Sequence, residues 1–148
     1  MMSNAMIMLS ELVKECGGIF LGPDRALPLS LSIDSRSVGQ GDFFIAIKGE
    51  HSDGHSFIGN AIASGAIGVI AERGSLSSEE LSILDQDGSI SFILAPQDTI
   101  SFLSRLAQRY LNKNHLLEII AVTGSVGKTT TREMIKKILS CRFRTVSP

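Results

Sequence analysis

The stretch Ile119-Ile120-Ala121-Val122-Thr123-Gly124-Ser125-Val126-Gly127-Lys128-Thr129-Thr130-Thr131 constrains this chain more than any other, because it reads as a buried apolar strand running into a glycine turn and then a helix. Gly124 and Gly127 can take backbone angles that a side chain would forbid, so successive N–H groups can turn toward one anion. Lys128 then supplies a mobile point charge for the β and γ phosphates of a nucleoside triphosphate, and Thr129 a hydroxyl for Mg²⁺ in the first helical turn. The helix N-terminus adds about half a positive charge at the same place. The phosphate cradle expected is therefore Thr123, Gly124, Ser125, Val126, Gly127, Lys128, Thr129 and Thr130. The general pattern G-x-x-x-x-G-K-[ST] asks for glycine where Val122 stands, so the shorter G-x-x-G-K-T-T is what the chain carries. The alternative is an ordinary strand-to-helix turn with an exposed lysine.

The rest of the chain is of the kind that folds around such a unit. Its 148 residues suffice for one domain or for a small domain and part of another. With 43% apolar and 20% charged residues, it has the composition of a globular protein. Lys and Arg total 14 against 15 Asp and Glu, so no global field draws it to nucleic acid or an anionic membrane. Cys16 and Cys141 have no C-x-x-C spacing, which predicts reduced thiols and a cytoplasmic protein. Met6-Ile7-Met8-Leu9 is too short for a signal-peptide core, and no apolar run approaches the roughly 18 residues of a membrane helix. Met1 to Ala5 resembles the remnant of a cleaved tag and is set aside.

In chain order, Leu9, Leu12 and Val13 define a short helix over Met8 to Cys16, with Ser10 as its cap and Gly17-Gly18 as its stop. Ile19-Phe20-Leu21 is a short strand. Leu29 to Ser35 alternates like a half-buried strand and delivers the loop Asp34-Ser35-Arg36. Phe43 to Ile47 is a continuous apolar strand that delivers the loop Lys48 to His55. A helix from Phe57 to Ala66 and a strand at Val69-Ile70-Ala71 follow, then a surface segment with one helical turn around Leu81 to Leu84. Strand Ile90 to Leu94, an amphipathic helix Asp98 to Asn112, the phosphate loop with its helix Lys128 to Ser140, and a basic strand Arg142 to Val146 complete the chain. The expected fold class is α/β, with a domain boundary near Ala95-Pro96 and a second, parallel-sheet domain that has barely begun by Pro148.

The residues now reached resemble the Mur ligases, ATP-dependent amide-forming enzymes of bacterial cell-wall precursor synthesis. Three stretches carry the likeness: Asp34-Ser35-Arg36 with Gly41-Asp42-Phe43-Phe44-Ile45-Ala46; Gly49 with Asp53-Gly54 and Phe57 leading to Ala61 and Gly65-Ala66; and Thr123 to Thr131. Ser125-Val126 between the glycines is similar to the MurF type, which adds D-alanyl-D-alanine to UDP-N-acetylmuramoyl tripeptide; Thr-Asn there would be similar to the MurE type. The family loop shares the short form, so Val122 is no departure from it.

The resemblance implies ATP and Mg²⁺ as cofactors and an acyl-phosphate mechanism in which Lys128 and Thr129 are the catalytic pair, stabilising the transferring phosphoryl group and its Mg²⁺. It further implies a precursor-binding domain over residues 6–95 and the truncated start of the central ATP-binding domain over residues 96–148. It assigns Ile33 and Ser35 after the first strand, and Glu50, His51 and Ser52 in the second loop, to the UDP end of the precursor. Asp34 and Arg36 can equally be read as a structural turn and ion pair. His51 and His55 flank Asp53, but no cysteine or glutamate cluster completes a metal site, and His115 reads as a surface residue. Alternatives are a non-catalytic nucleotide-sugar binding module and another ligase sharing the loop, such as a folylpolyglutamate synthase.

Overall fold

The computed structural model describes residues 6–27, 29–50, 52–86, 88–115 and 117–147, which divide into two compact units, Met1–Asn114 and His115–Pro148. The first unit is built on a sheet of five strands: β1 (Ile19–Leu21), β2 (Leu31–Ser32), β3 (Phe43–Ile45), β4 (Gly68–Glu72) and β5 (Ser91–Ala95). Their spatial order is β1-β5-β4-β3-β2. The pairs β2–β3, β3–β4 and β4–β5 are parallel, with Phe43 opposite Gly68 and Val69 opposite Phe92, whereas β1 joins β5 antiparallel.

Strands covered on both faces read as unbroken apolar runs, and the central three do. Phe43, Ile45, Ile70, Ile93 and Ala95 point to one face, where they meet Leu9, Leu12 and Val13 of α1 (Leu9–Glu15) and Phe102 and Leu106 of α4 (Thr99–Lys113). Phe44, Ala46, Val69, Ala71 and Phe92 point to the other, against Ile58 and Ala61 of α2 (Ile58–Ala63), with Leu81 and Leu84 of α3 (Ser78–Leu84) packed alongside. The product is a three-layer α/β unit, as expected from the alternation of strands and helices. Gly68 is required at its centre, because a Cβ there would enter the Phe43 ring.

Several boundaries differ from the sequence reading, each for a physical reason. Ser10 lies inside α1 rather than capping it. The helix starts after Met8, which makes no side-chain cap, and Ser10 instead donates from Oγ to Asp24 Oδ2 at 2.5 Å. The strand read over Leu29 to Ser35 shortens to Leu31–Ser32, since pairing with β3 begins at Leu31↔Phe43 and Asp34 then turns the chain. α3 covers Ser78–Leu84, longer than the turn expected, because Ser77 and Glu80 form a reciprocal capping box. α4 lies in the compact unit that ends at Asn114, beyond the division expected near Ala95-Pro96. Asp98 caps it, Phe102 and Leu106 are core, and Lys113 reaches Glu11 and Glu15 of α1 at 2.6 Å each.

In the second unit α5 (Lys128–Ser140) forms as read, but the strand expected over Ile119 to Val122 does not. Ile119 and Ile120 are 63% and 58% exposed. The strand expected over Arg142 to Val146 is absent too. A strand exists only through a neighbour's hydrogen bonds, and among the described residues no strand pairs with either segment.

Candidate functional site

The phosphate loop has the local geometry its glycines predict. Gly127, at φ +80°, is the left-handed N-cap residue of α5, and Gly124 has φ +147°. A Cβ at Gly127 would meet nothing within 4 Å, so the glycine is demanded by the backbone angle and not by crowding. Thr131 N–H closes the first helical bond onto Gly127 O at 2.9 Å, placing Lys128, Thr129 and Thr130 in the first turn. The Lys128 ammonium donates back to the Gly124 carbonyl, so the charge lies across the mouth of the loop. Thr123, Gly124, Ser125, Val126, Gly127, Lys128, Thr129 and Thr130 are all exposed. The loop is therefore an open cradle with a free helix end, a lysine and a hard hydroxyl ligand, a donor set that fits a nucleotide polyphosphate with Mg²⁺.

The second group of candidates stands at the carboxyl edge of the first unit. β2 and β3 are adjacent and parallel, so their following loops emerge at the same sheet edge, the usual place for ligands in open α/β sheets. Ile33 and Ser35 follow β2; Glu50 and Ser52 follow β3, while His51 lies outside the described residues. Ile33 is 68% exposed, an apolar side chain presented to solvent.

The residues around Ser35 build a turn. Asp34 Oδ1 accepts from Arg36 N–H and Arg36 Nε, each at 3.0 Å, and Oδ2 accepts from Arg36 Nη2 at 2.9 Å. The Arg36 guanidinium, followed by its backbone N–H, holds the Asp34 carboxyl down at about 2. Asp34 O accepts from Ser32 Oγ at 3.1 Å and from Ser37 Oγ at 3.0 Å. Asp34 and Arg36 therefore act as the structural turn and ion pair that the sequence allowed, and they present Ser35 at the apex.

The second loop is a tight hairpin with Lys48 bridged to Asp53 and Gly49 N–H bonded to Ser52 O at 2.9 Å, which puts Glu50 near its tip. Gly54 closes it by donating to Ile47 O at 2.9 Å, and a Cβ at Gly54 would lie 2.7 Å from both Ile47 N and Ile47 O. Asp53 caps the single 3-10 turn Gly54–Phe57, and its carboxyl is lowered chiefly by the His55 N–H it accepts. His55 is the functional candidate that sequence reasoning passed over. The signal was Asp53-Gly54-His55, read as loop punctuation and a poor metal site. Both ring nitrogens of His55 are engaged, by Asp53 and by Glu72 N–H, which leaves neither for a metal.

Two concavities lie elsewhere in the first unit. One of about 390 Å³ is lined by Glu15, Cys16, Arg105, Gln108, Arg109 and Asn112. Its thiol is pushed up by burial and its carboxylate is held by Lys113, so it offers no activated nucleophile or base. The chemistry favours the two open loops over this concavity.

Residues 30–110 match the model of the Mur ligase family, catalytic domain. A UDP-N-acetylmuramoyl-L-alanyl-D-glutamate--2,6-diaminopimelate ligase of Syntrophomonas wolfei is 44% identical over 120 residues, 80% of this chain and 22% of that protein. The UDP-N-acetylmuramoyl-tripeptide--D-alanyl-D-alanine ligase of Bacillus subtilis is 32% identical over 146 residues, 97% of this chain and 29% of that protein. Among solved structures, a MurF from Acinetobacter baumannii superposes with a TM-score of 0.65 at 30% identity, over 93% of this chain and 28% of that one. A MurF from Thermotoga maritima in complex with ADP gives 0.51 at 32% identity, over 77% of this chain and 24% of that one. The chain thus spans less than a third of the length of these relatives.

Proposed function

This chain belongs to the Mur ligase family, and from that premise we propose that it is the amino-terminal part of an ATP-dependent ligase joining D-alanyl-D-alanine to UDP-N-acetylmuramoyl tripeptide. The observation that carries the reading is the glycine loop itself, with left-handed Gly127 opening α5 and Lys128 and Thr129 in the first turn. The ADP bound by the Thermotoga maritima MurF supports ATP as the nucleotide.

In this reading the loop from Thr123 to Thr130 holds the phosphates by backbone N–H groups, and Lys128 stabilises the charge on the transferring phosphoryl group, already in position before reaction. Thr129 is the residue here that would hold Mg²⁺, which when bound neutralises phosphate charge. The precursor's terminal carboxylate takes the γ-phosphoryl group, and the incoming amine displaces phosphate from the acyl phosphate. Ile33, Ser35, Glu50, His51 and Ser52 receive the UDP end, Ile33 offering apolar surface to the uracil and Ser35 a hydrogen bond. The division of labour, expected near Ala95-Pro96, falls with the two compact units: the precursor domain runs to Asn114 with α4 in its core, and the ATP domain starts at His115. A nucleotide-linked substrate and unpaired Cys16 and Cys141 support a cytoplasmic setting.

The Syntrophomonas relative supports a second reading, a MurE-type ligase adding a diamino acid to UDP-N-acetylmuramoyl dipeptide. The intact protein, given ATP with each pair of precursor and amine in turn, separates the two. Phosphate release with the tripeptide and D-alanyl-D-alanine supports the first, release with the dipeptide and 2,6-diaminopimelate the second, and release with neither pair removes both.

A further inference from the structure

The second loop is held from strand β4 as well as from its own hairpin. Pairing of β3 with β4 ends at Ile45↔Ile70, and Ala46 N–H makes one further bond to Ile70 O at 2.8 Å. Glu72, two residues along β4, then presents an N–H on that side beyond the end of the ladder. The Nε2 of His55 accepts it at 3.1 Å, so the imidazole takes the place of the next rung. A ring nitrogen that accepts from N–H carries no hydrogen, which puts the ring hydrogen on Nδ1. Nδ1 points it at Asp53 Oδ1, 2.5 Å away, and this contact is a hydrogen bond to a carboxylate rather than an ion pair. The His55 side chain is only 9% exposed, so water competes little for the bond from Glu72 N–H, whereas Asp53 stands 45% exposed at the hairpin side of the tie.

We infer that His55 is a positioning residue: its imidazole ties the Glu72 N–H of β4 to Asp53 at the base of the Lys48–Asp53 hairpin, and so sets where Glu50 and Ser52 stand for the precursor. The inference rests on the reading of that hairpin as part of the precursor site. Two features make the tie directional. Asp53 Oδ1 also accepts from His55 N–H at 3.0 Å, so one carboxylate oxygen fixes both the backbone and the ring of the same residue. Gly54 lies between them and donates to Ile47 O at 2.9 Å, so close that no side chain would fit, and the base of the hairpin thus packs directly on the chain leaving β3. Without the imidazole the hairpin keeps its own bonds and its contact with Ile47 and loses its tie to β4.

The 148-residue chain serves for the test, with UDP-N-acetylmuramoyl tripeptide as probe. Long-range proton–nitrogen spectra should show the His55 hydrogen on Nδ1; a hydrogen on Nε2 overturns the inference. Calorimetric titration well below the melting temperature should find affinity weakened about tenfold in His55→Ala, the worth of one to two hydrogen bonds. His55→Gln, whose amide oxygen can still accept from Glu72 N–H, should recover part of that loss. His55→Asn can reach Asp53 but not Glu72 and should recover less. A merely structural histidine would lower the folded fraction and leave the affinity of the folded molecules unchanged, so equal affinity of wild type and folded His55→Ala also overturns the role. Absence of binding by the wild type removes the precursor-site reading and the positioning role with it, whereas binding by the wild type that the substitutions leave unchanged removes the positioning role alone.

Discussion

Helices α4 and α5 are both amphipathic and of similar length, yet α4 buries Thr99, Phe102 and Leu106 whereas no residue of α5 is fully buried, Ile135 and Leu139 being half-buried. α4 starts on an Asp98 carboxylate that accepts from Ser101 N–H at 2.8 Å; α5 starts on a left-handed glycine. Local chemistry thus marks where both helices begin. What separates them is the surface each faces: α4 lies on a sheet of five strands, whereas Met134 and Ile138 of α5 remain exposed. In this chain the phosphate loop keeps its local geometry although no residue of α5 is buried, because helix bonds are internal to the segment while strand bonds and apolar burial need partners elsewhere.

The comparison breaks most visibly at Phe102. Truncating Phe102→Ala empties a site against Gly18 and α1 and should cost about 3–5 kcal/mol in denaturant unfolding of the first unit. Ile138→Ala, an apolar truncation on α5, should stay within about 0.5 kcal/mol. Equal costs would mean that α5 has a core of its own. Amide exchange gives the same contrast without mutation: β3, β4 and β5 should be protected while Ile119 to Val122 exchange freely.

The next effect is confined to chemistry. If the intact protein has the proposed ligase activity, Lys128→Ala should lower its turnover by about 10²–10³-fold, the usual consequence of removing one charge-stabilising donor, while the melting temperature stays put. Full activity in that variant would dismiss the loop as a phosphate cradle. Ser35→Ala should weaken precursor binding several-fold, about 1 kcal/mol for one neutral hydrogen bond, with no change in stability. Binding equal to wild type would leave Ser35 a turn residue only.

The smallest effect is the Asp34 turn. Its folded carboxyl is held down at about 2, below the ordinary aspartate value of 3.8, so whatever it contributes is present above about pH 4 and is lost as pH falls toward 2. Carbon-detected titration of the Asp34 carboxyl should follow that window in the wild type and move back toward 3.8 in Arg36→Ala. An unmoved midpoint would show that the guanidinium is not the cause.

How much of this was legible in the sequence depended on the range of the interaction that each element needs. The strands Phe43–Ile45, Gly68–Glu72 and Ser91–Ala95 were readable from unbroken apolar runs, α4 from its stripe, and the glycine loop from residue types whose backbone angles are local properties. Ser77 and Glu80 also carried a readable cap at the spacing of a capping box, and the reading passed over it. Not readable were the order β1-β5-β4-β3-β2, the reversal of β1, and the attachment of α4 to the first unit. Those depend on residues far apart in the chain meeting across the sheet. The candidate sites divide in the same way. By itself the sequence determined the conformation of the phosphate loop, because Gly124, Gly127 and Lys128 need only their neighbours. Only the tertiary structure decided that the loops after β2 and β3 share one edge, and that His55 reaches Glu72 to hold the second of them, because pairing and hydrogen bonds between distant segments have no signature in the spacing of residues along one segment.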